Sequence, residues 1–91
     1  MSGNDLGMRR RRALWRATHR GSKEMDFLLG RFAAREVEAM DAAEIAAFER
    51  LIEVPDPAIE ASVVAGHSLG EPDLDELVAR MRRFHGLVPA G

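Results

Sequence analysis

The sequence predicts an all-α fold, a compact bundle of about five short helices in one domain. Three observations predict it. Apolar residues recur at three- and four-residue spacing in successive segments, the repeat of one helix face. Val, Ile, Thr and aromatic residues never alternate over a useful length, and tyrosine is absent, so strand signals are missing. Glycine, proline and N-cap residue types break the periodic segments at short intervals, as short helix–helix connections require.

Taken in order, residues 1–7, MSGNDLG, read as a flexible leader, 8–88 as the domain and 89–91 as a tail. Residues 8–19 predict a first helix, with Trp15 and Thr18 sharing a face with Arg11. Gly21 ends it, since glycine readily takes the left-handed conformation that closes a helix. Ser22 is placed to cap a second helix over 22–40, with Glu24 complementing the positive end of its dipole. Met25, Leu28, Leu29 and Phe32 form its inner face, and Gly30 within it suits a close helix contact. Asp41 and Glu44 make a capping-box pattern ahead of a third helix, whose inner face carries Ile45, Phe48, Leu51 and Ile52. That helix stops before Pro55. Asp56 is the expected cap of a fourth helix, with Pro57 in its first turn and Ile59, Val63 and Val64 facing inward. Gly66 ends it. A fifth helix starts near Pro72 or Asp73, carries Leu74, Leu77, Val78, Met81 and, at its end, Phe84, and closes with cations before Gly86.

With 91 residues there is room for one core. An apolar fraction of 46% and a charged fraction of 31% suit a globular chain rather than a disordered one. The absence of cysteine excludes disulfides and thiolate metal sites and suits a reducing compartment. No apolar stretch approaches a membrane span, and no apolar h-region follows the N-terminal charges. The net charge of −2 conceals an asymmetry: residues 1–24 hold seven basic against two acidic side chains, and the remainder holds six against thirteen.

Chemistry-bearing patterns are sparse. His19, His67 and His85 fall in three different segments without a metal-ligand spacing. No serine sits in a G-x-S-x-G elbow, and no glycine pattern matches a phosphate loop. Enzymatic activity, a bound metal and a tightly held cofactor are not expected. The run Arg9–Arg12 could attract phosphates, but an acidic body opposes it and only Trp15 lies nearby as an aromatic. A solvated basic face is the plainer reading. The segment RGSKEMD, residues 20–26, places Arg20 and Gly21 at a turn, with Glu24 and Asp26 opening the next helix. Local physics alone accommodates it as a helix stop, a dipole complement and an exposed ion pair.

RGSKEMDFLLGRF, residues 20–32, resembles the signature of the SdhE family, small assembly factors for the flavoprotein subunit of succinate dehydrogenase. The family pattern R-G-x-x-E-x-D falls on Arg20, Gly21, Glu24 and Asp26, with Trp15 and Arg16 upstream. Phe48, Leu51, Glu53 and Asp56 in FERLIEVPD are similar to the family element F-x-x-L-L-E-x-x-D, and the likeness covers roughly residues 14 to 85. One stretch departs: where the family often has D-x-D-L-x-x-W, Ala58 replaces the second aspartate and Ser62 stands at the tryptophan. The resemblance implies a protein that is not itself the enzyme. It would bind the flavoprotein subunit and promote covalent attachment of FAD, with fumarate reductase as a further candidate client. Carried over, Arg20, Gly21 and Glu24 face the client, and Asp26 and Arg16 support or flank them. A monomer without nucleic acid is expected. The compartment follows mainly from the resemblance, bacterial cytoplasm or mitochondrial matrix, and the lack of a convincing presequence with an alanine- and arginine-rich composition favours the bacterial cytoplasm. The competing readings are a small helical adaptor or antitoxin-like partner protein, and a basic-patch nucleic-acid binder.

Overall fold

The computed structural model describes residues 3–87, with side chains from residue 5. Five helical segments account for it, and no strand occurs among the described residues. They are α1 (Gly3–Thr18), α2 (23–39), α3 (Ala42–Ile52), α4 (Asp56–Ala65) and α5 (Pro72–Phe84). The tail over 89–91 lies outside the described residues, as do residues 1 and 2.

Helix α1 begins at Gly3, so it takes in most of what the sequence assigns to a leader. Leu6 explains this, because it packs against the core and holds the first turns to the bundle. The inner face of α1 is small, with Ala13 and Ala17 fully covered. Small side chains let α2 approach closely. At Gly30 an added Cβ would sit 3.2 Å from both the Ala17 carbonyl oxygen and Thr18 Cγ2. The chain widens into a π-helical turn at Asp26–Gly30 just where this contact is made, and such widened turns free backbone carbonyls for outside donors. The Leu28 carbonyl accepts from His85 Nε2 at 2.8 Å, tying the end of α5 to this turn.

The core is built as the periodicity predicts. Leu29, Phe32, Met40, Ile45, Phe48, Leu51, Ile59, Leu74 and Met81 are buried. The capping box at the start of α3 is complete: Asp41 accepts from the Glu44 N–H at 2.8 Å and Glu44 accepts from the Asp41 N–H at 2.9 Å. Two expectations for α4 are corrected. Pro55 occupies the N-cap and Asp56 is the first helical residue, its carboxylate turned to Arg20 in the connection between α1 and α2 instead of capping its own helix. Val64 is 54% exposed rather than inward, because α4 meets the bundle through Ile59, Ser62 and Val63 alone. Ser62, at the position of the family tryptophan, is buried against α5, and its hydroxyl has no hydrogen-bond partner among the described residues.

Ion pairs stitch the helices from outside. Arg9 reaches Glu49 at 2.7 Å, and Arg80 bridges Glu36 at 2.8 Å and Glu44 at 3.0 Å. Arg50 pairs with Asp73. Three carboxyls are consequently held below their ordinary values: Glu49 by the hydrogen bond from Arg9, Asp73 by that from Arg50, and Asp75 by the Ser68 hydroxyl and the Leu69 N–H. A carboxyl depressed on folding stabilises the folded state above its unfolded value and loses that contribution as pH falls through the folded one. Melting temperature is therefore expected to hold steady down to about pH 5 and to fall once pH drops below the ordinary values of 4.5 for Glu49 and 3.8 for the two aspartates. Thermal melts of Glu49→Gln and Asp75→Asn against pH check this, since each substitution should flatten the acid limb.

Candidate functional site

The RG turn joins α1 to α2. The Arg16 carbonyl accepts from the His19 N–H at 3.4 Å at the end of α1, and Gly21 then takes a φ of +103°, a region that favours glycine. Ser22 caps α2, its hydroxyl accepting from the Met25 N–H at 3.2 Å. Asp26, one turn on, accepts from the Arg20 backbone N–H at 2.9 Å. The turn is thus clamped from the α2 side by its own aspartate.

The Arg20 side chain points away from solvent, and at 12% exposure it is not the exposed cation that the sequence suggests. Its guanidinium donates to the Ile52 carbonyl at 2.5 Å, to the Val54 carbonyl at 3.1 Å and to Asp56 Oδ1 at 2.5 and 3.0 Å. It caps the end of α3, whose last carbonyls lack intrahelical partners, and pairs with the first residue of α4. Its ionic partner is therefore Asp56 rather than the nearby Glu24. FERLIEVPD and the RG segment meet through this one side chain.

What remains on the surface is selective. Gly21 is exposed, and an added Cβ there would meet nothing within 4 Å. Glu24 is exposed and makes no hydrogen bond or ion pair among the described residues. Arg16 is partly exposed and reaches Glu53 at 2.5 Å. Trp15 is 61% exposed and lies flat on His19, the ring centroids 4.1 Å apart. An open hollow of about 290 Å³ lined by Trp15, Arg16, His19, Arg20 and Asp56 borders the turn.

The arginine run is divided in the same way. Arg9 is held by Glu49, and Arg10 donates to the Met40 carbonyl at 2.6 Å, closing the end of α2. Only Arg11 and Arg12 of the four are exposed without a partner among the described residues. No described helix is long and apolar enough to cross a membrane.

Residues 11–85 match the family described as flavinator of succinate dehydrogenase. The chain belongs to that family. Among its relatives is the FAD assembly factor SdhE of Acetobacter pasteurianus, 35% identical over 78 residues, which are 86% of this chain and 72% of the relative. The FAD assembly factor SdhE of Legionella pneumophila, strain Paris, is 35% identical over 71 residues, 78% of this chain and 87% of the relative. No solved structure matches. RGSKEMD and FERLIEVPD both lie within the matched residues.

The sequence pattern places five residues at the candidate surface. The structure brings Arg20, Gly21 and Asp26 into one turn and leaves Glu24 and Arg16 exposed or partly exposed on either side of it. Sequence reasoning did not assign Asp56 to this group. Its aspartate is visible in the FERLIEVPD motif, but its role depends on Arg20, which is distant in the chain.

Proposed function

We propose that this protein is a non-catalytic assembly factor that binds the flavoprotein subunit of succinate dehydrogenase and promotes covalent attachment of FAD to it. Family membership supports the client and the reaction. The observation that carries the surface is an exposed Gly21 in a positive-φ turn beside an exposed, unengaged Glu24. A bare backbone allows close approach of a partner chain, and an unengaged carboxylate is ready to accept from a cation or backbone N–H of that partner.

Roles divide accordingly. Gly21 and Glu24 contact the client, and Arg16 flanks them. Arg20 and Asp26 hold the turn from within. The protein acts by stabilising one client conformation, in which flavin and acceptor histidine are aligned, and supplies no reacting group. FAD binds to the client, with no tightly held cofactor on this chain. It works as a monomer in the bacterial cytoplasm, and fumarate reductase, where present, is a second client. The internal use of Arg9, Arg10, Arg16 and Arg20 favours a protein partner over nucleic acid, because few phosphates could be neutralised by the cations that remain.

Glu24→Ala tests this reading. The substitution should change stability by no more than about 0.5 kcal/mol, as for an exposed residue away from structural features. It should lower covalent flavin on the client severalfold in cells lacking the wild-type factor, read as in-gel flavin fluorescence of the denatured subunit. Wild-type flavin content with Glu24→Ala would remove Glu24 from the surface.

A further inference from the structure

The outer face of α1 carries a second surface that runs away from the RG turn. Ala13 and Ala17 define the buried side of this helix. Met8, Arg12 and Trp15 recur at helical spacing on the opposite side, and all three are exposed, Met8 at 51% and Trp15 at 61%. Exposed large apolar side chains aligned with unpaired cations are the mixture found at the centre of protein interfaces, where Trp and Arg dominate binding.

The indole is also held in place. His19 Nδ1 lies 2.7 Å from the Trp15 carbonyl oxygen, so Nδ1 carries the proton and donates to it. That bond keeps the imidazole stacked on the indole with the planes 13° apart. Thr18 fixes the last turn by donating to the Leu14 carbonyl at 2.9 Å. An aromatic side chain ordered before binding loses less freedom on contact.

Charge defines the chemistry of the partner. Arg11, Arg12 and Lys23 are exposed and make no ion pair among the described residues. A groove of about 490 Å³ between α1 and α3 shares Arg12 and Arg16 with this face, and Arg16 also lines the hollow beside the RG turn. The stripe is therefore continuous with the proposed client contact.

We propose that the Met8–Arg12–Trp15 stripe, with His19 behind Trp15, docks an acidic segment of the same flavoprotein client, with Trp15 as the apolar anchor. This rests on the reading of the RG turn given above. The stripe extends the interface along α1 and adds affinity and orientation, whereas the RG turn approaches the flavin region.

Trp15 is the single tryptophan of the chain, so 5-fluorotryptophan gives one fluorine resonance at the proposed anchor. Purified client is titrated into labelled wild-type, Gly21→Arg and Arg12→Glu proteins, and client affinity is measured in parallel for unlabelled Trp15→Ala. The resonance is expected to shift or broaden with client. Trp15→Ala and Arg12→Glu should each weaken binding about tenfold or more, the latter less so at high salt, with helical circular dichroism unchanged. Should Gly21→Arg abolish binding while Trp15→Ala and Arg12→Glu bind as wild type, the stripe is overturned and the RG reading stands. Should Gly21→Arg also bind as wild type, the RG reading fails and the inference with it. A resonance that moves with phosphatidylglycerol vesicles or free FAD, and not with client, would overturn the proposal in favour of a lipid or nucleotide surface.

Discussion

Replacing Gly21 by arginine is expected to leave a folded protein that no longer supports flavin attachment. In the isolated chain the substitution meets no steric obstacle, since an added Cβ has nothing within 4 Å. Its cost is the backbone one of holding an L-residue at a φ of +103°, about 1–2 kcal/mol. For a domain of this size each kcal/mol lowers the melting temperature by roughly 4–8 °C. Helical circular dichroism should be retained at 25 °C. The long side chain would stand where the client backbone is proposed to approach, so covalent flavin on the client should fall to the level seen without the factor. Gly21→Ala is the control: it carries the same backbone cost with little bulk and should keep a measurable share of activity. Full restoration of covalent flavin by Gly21→Arg would place the client contact elsewhere.

Arg20→Ala is expected to fail for the opposite reason. The lost guanidinium leaves the Ile52 and Val54 carbonyls without their donor and Asp56 without its counter-charge. Charge-assisted bonds of this kind together are worth about 2–3 kcal/mol. That is a large part of the roughly 5–14 kcal/mol available to a chain of 91 residues. Urea denaturation should show a clearly lower midpoint with an unchanged slope. Arg20→Lys should recover little, because one ammonium cannot span two carbonyls and a carboxylate as the planar fork does. Asp56→Asn should be milder, since an acceptor oxygen remains. If Arg20→Ala unfolded at the wild-type urea concentration and still lost client binding, the arginine would belong to the client contact after all.

The contrast between these neighbours shows which features could be read from the chain. Local signals were legible: the Asp41–Glu44 box, the Ser22 cap, the turn at Gly21 and the inner faces of α2, α3 and α5 all depend on residues within a few positions of one another. Gly30 announced a close contact, and α1 is what it meets. Features set by distant partners were not legible. Arg20 and Asp56 are 36 positions apart, and nothing in either segment says that the arginine turns inward or that the aspartate leaves its own helix uncapped. The early start of α1 follows from Leu6 finding the core, and the outward Val64 from α4 touching the bundle along a narrow strip. The family resemblance singles out the RG segment, while the inward turn of Arg20 and the exposure of Glu24 within it required the packed structure.

The Arg20 latch also orders events in time. Its acceptors lie at the end of α3 and the start of α4, so it cannot close until both have docked. Contacts across such separations form late, after local helices and their first packing, because the intervening chain must be closed. The docking of the RG turn against α3 and α4 is accordingly completed only once both are in place. A partly unravelled copy would keep the local turn at Gly21 without its anchor on α3 and α4. Arg20 thereby registers, at the α1–α2 turn, whether the distant half of the bundle has assembled.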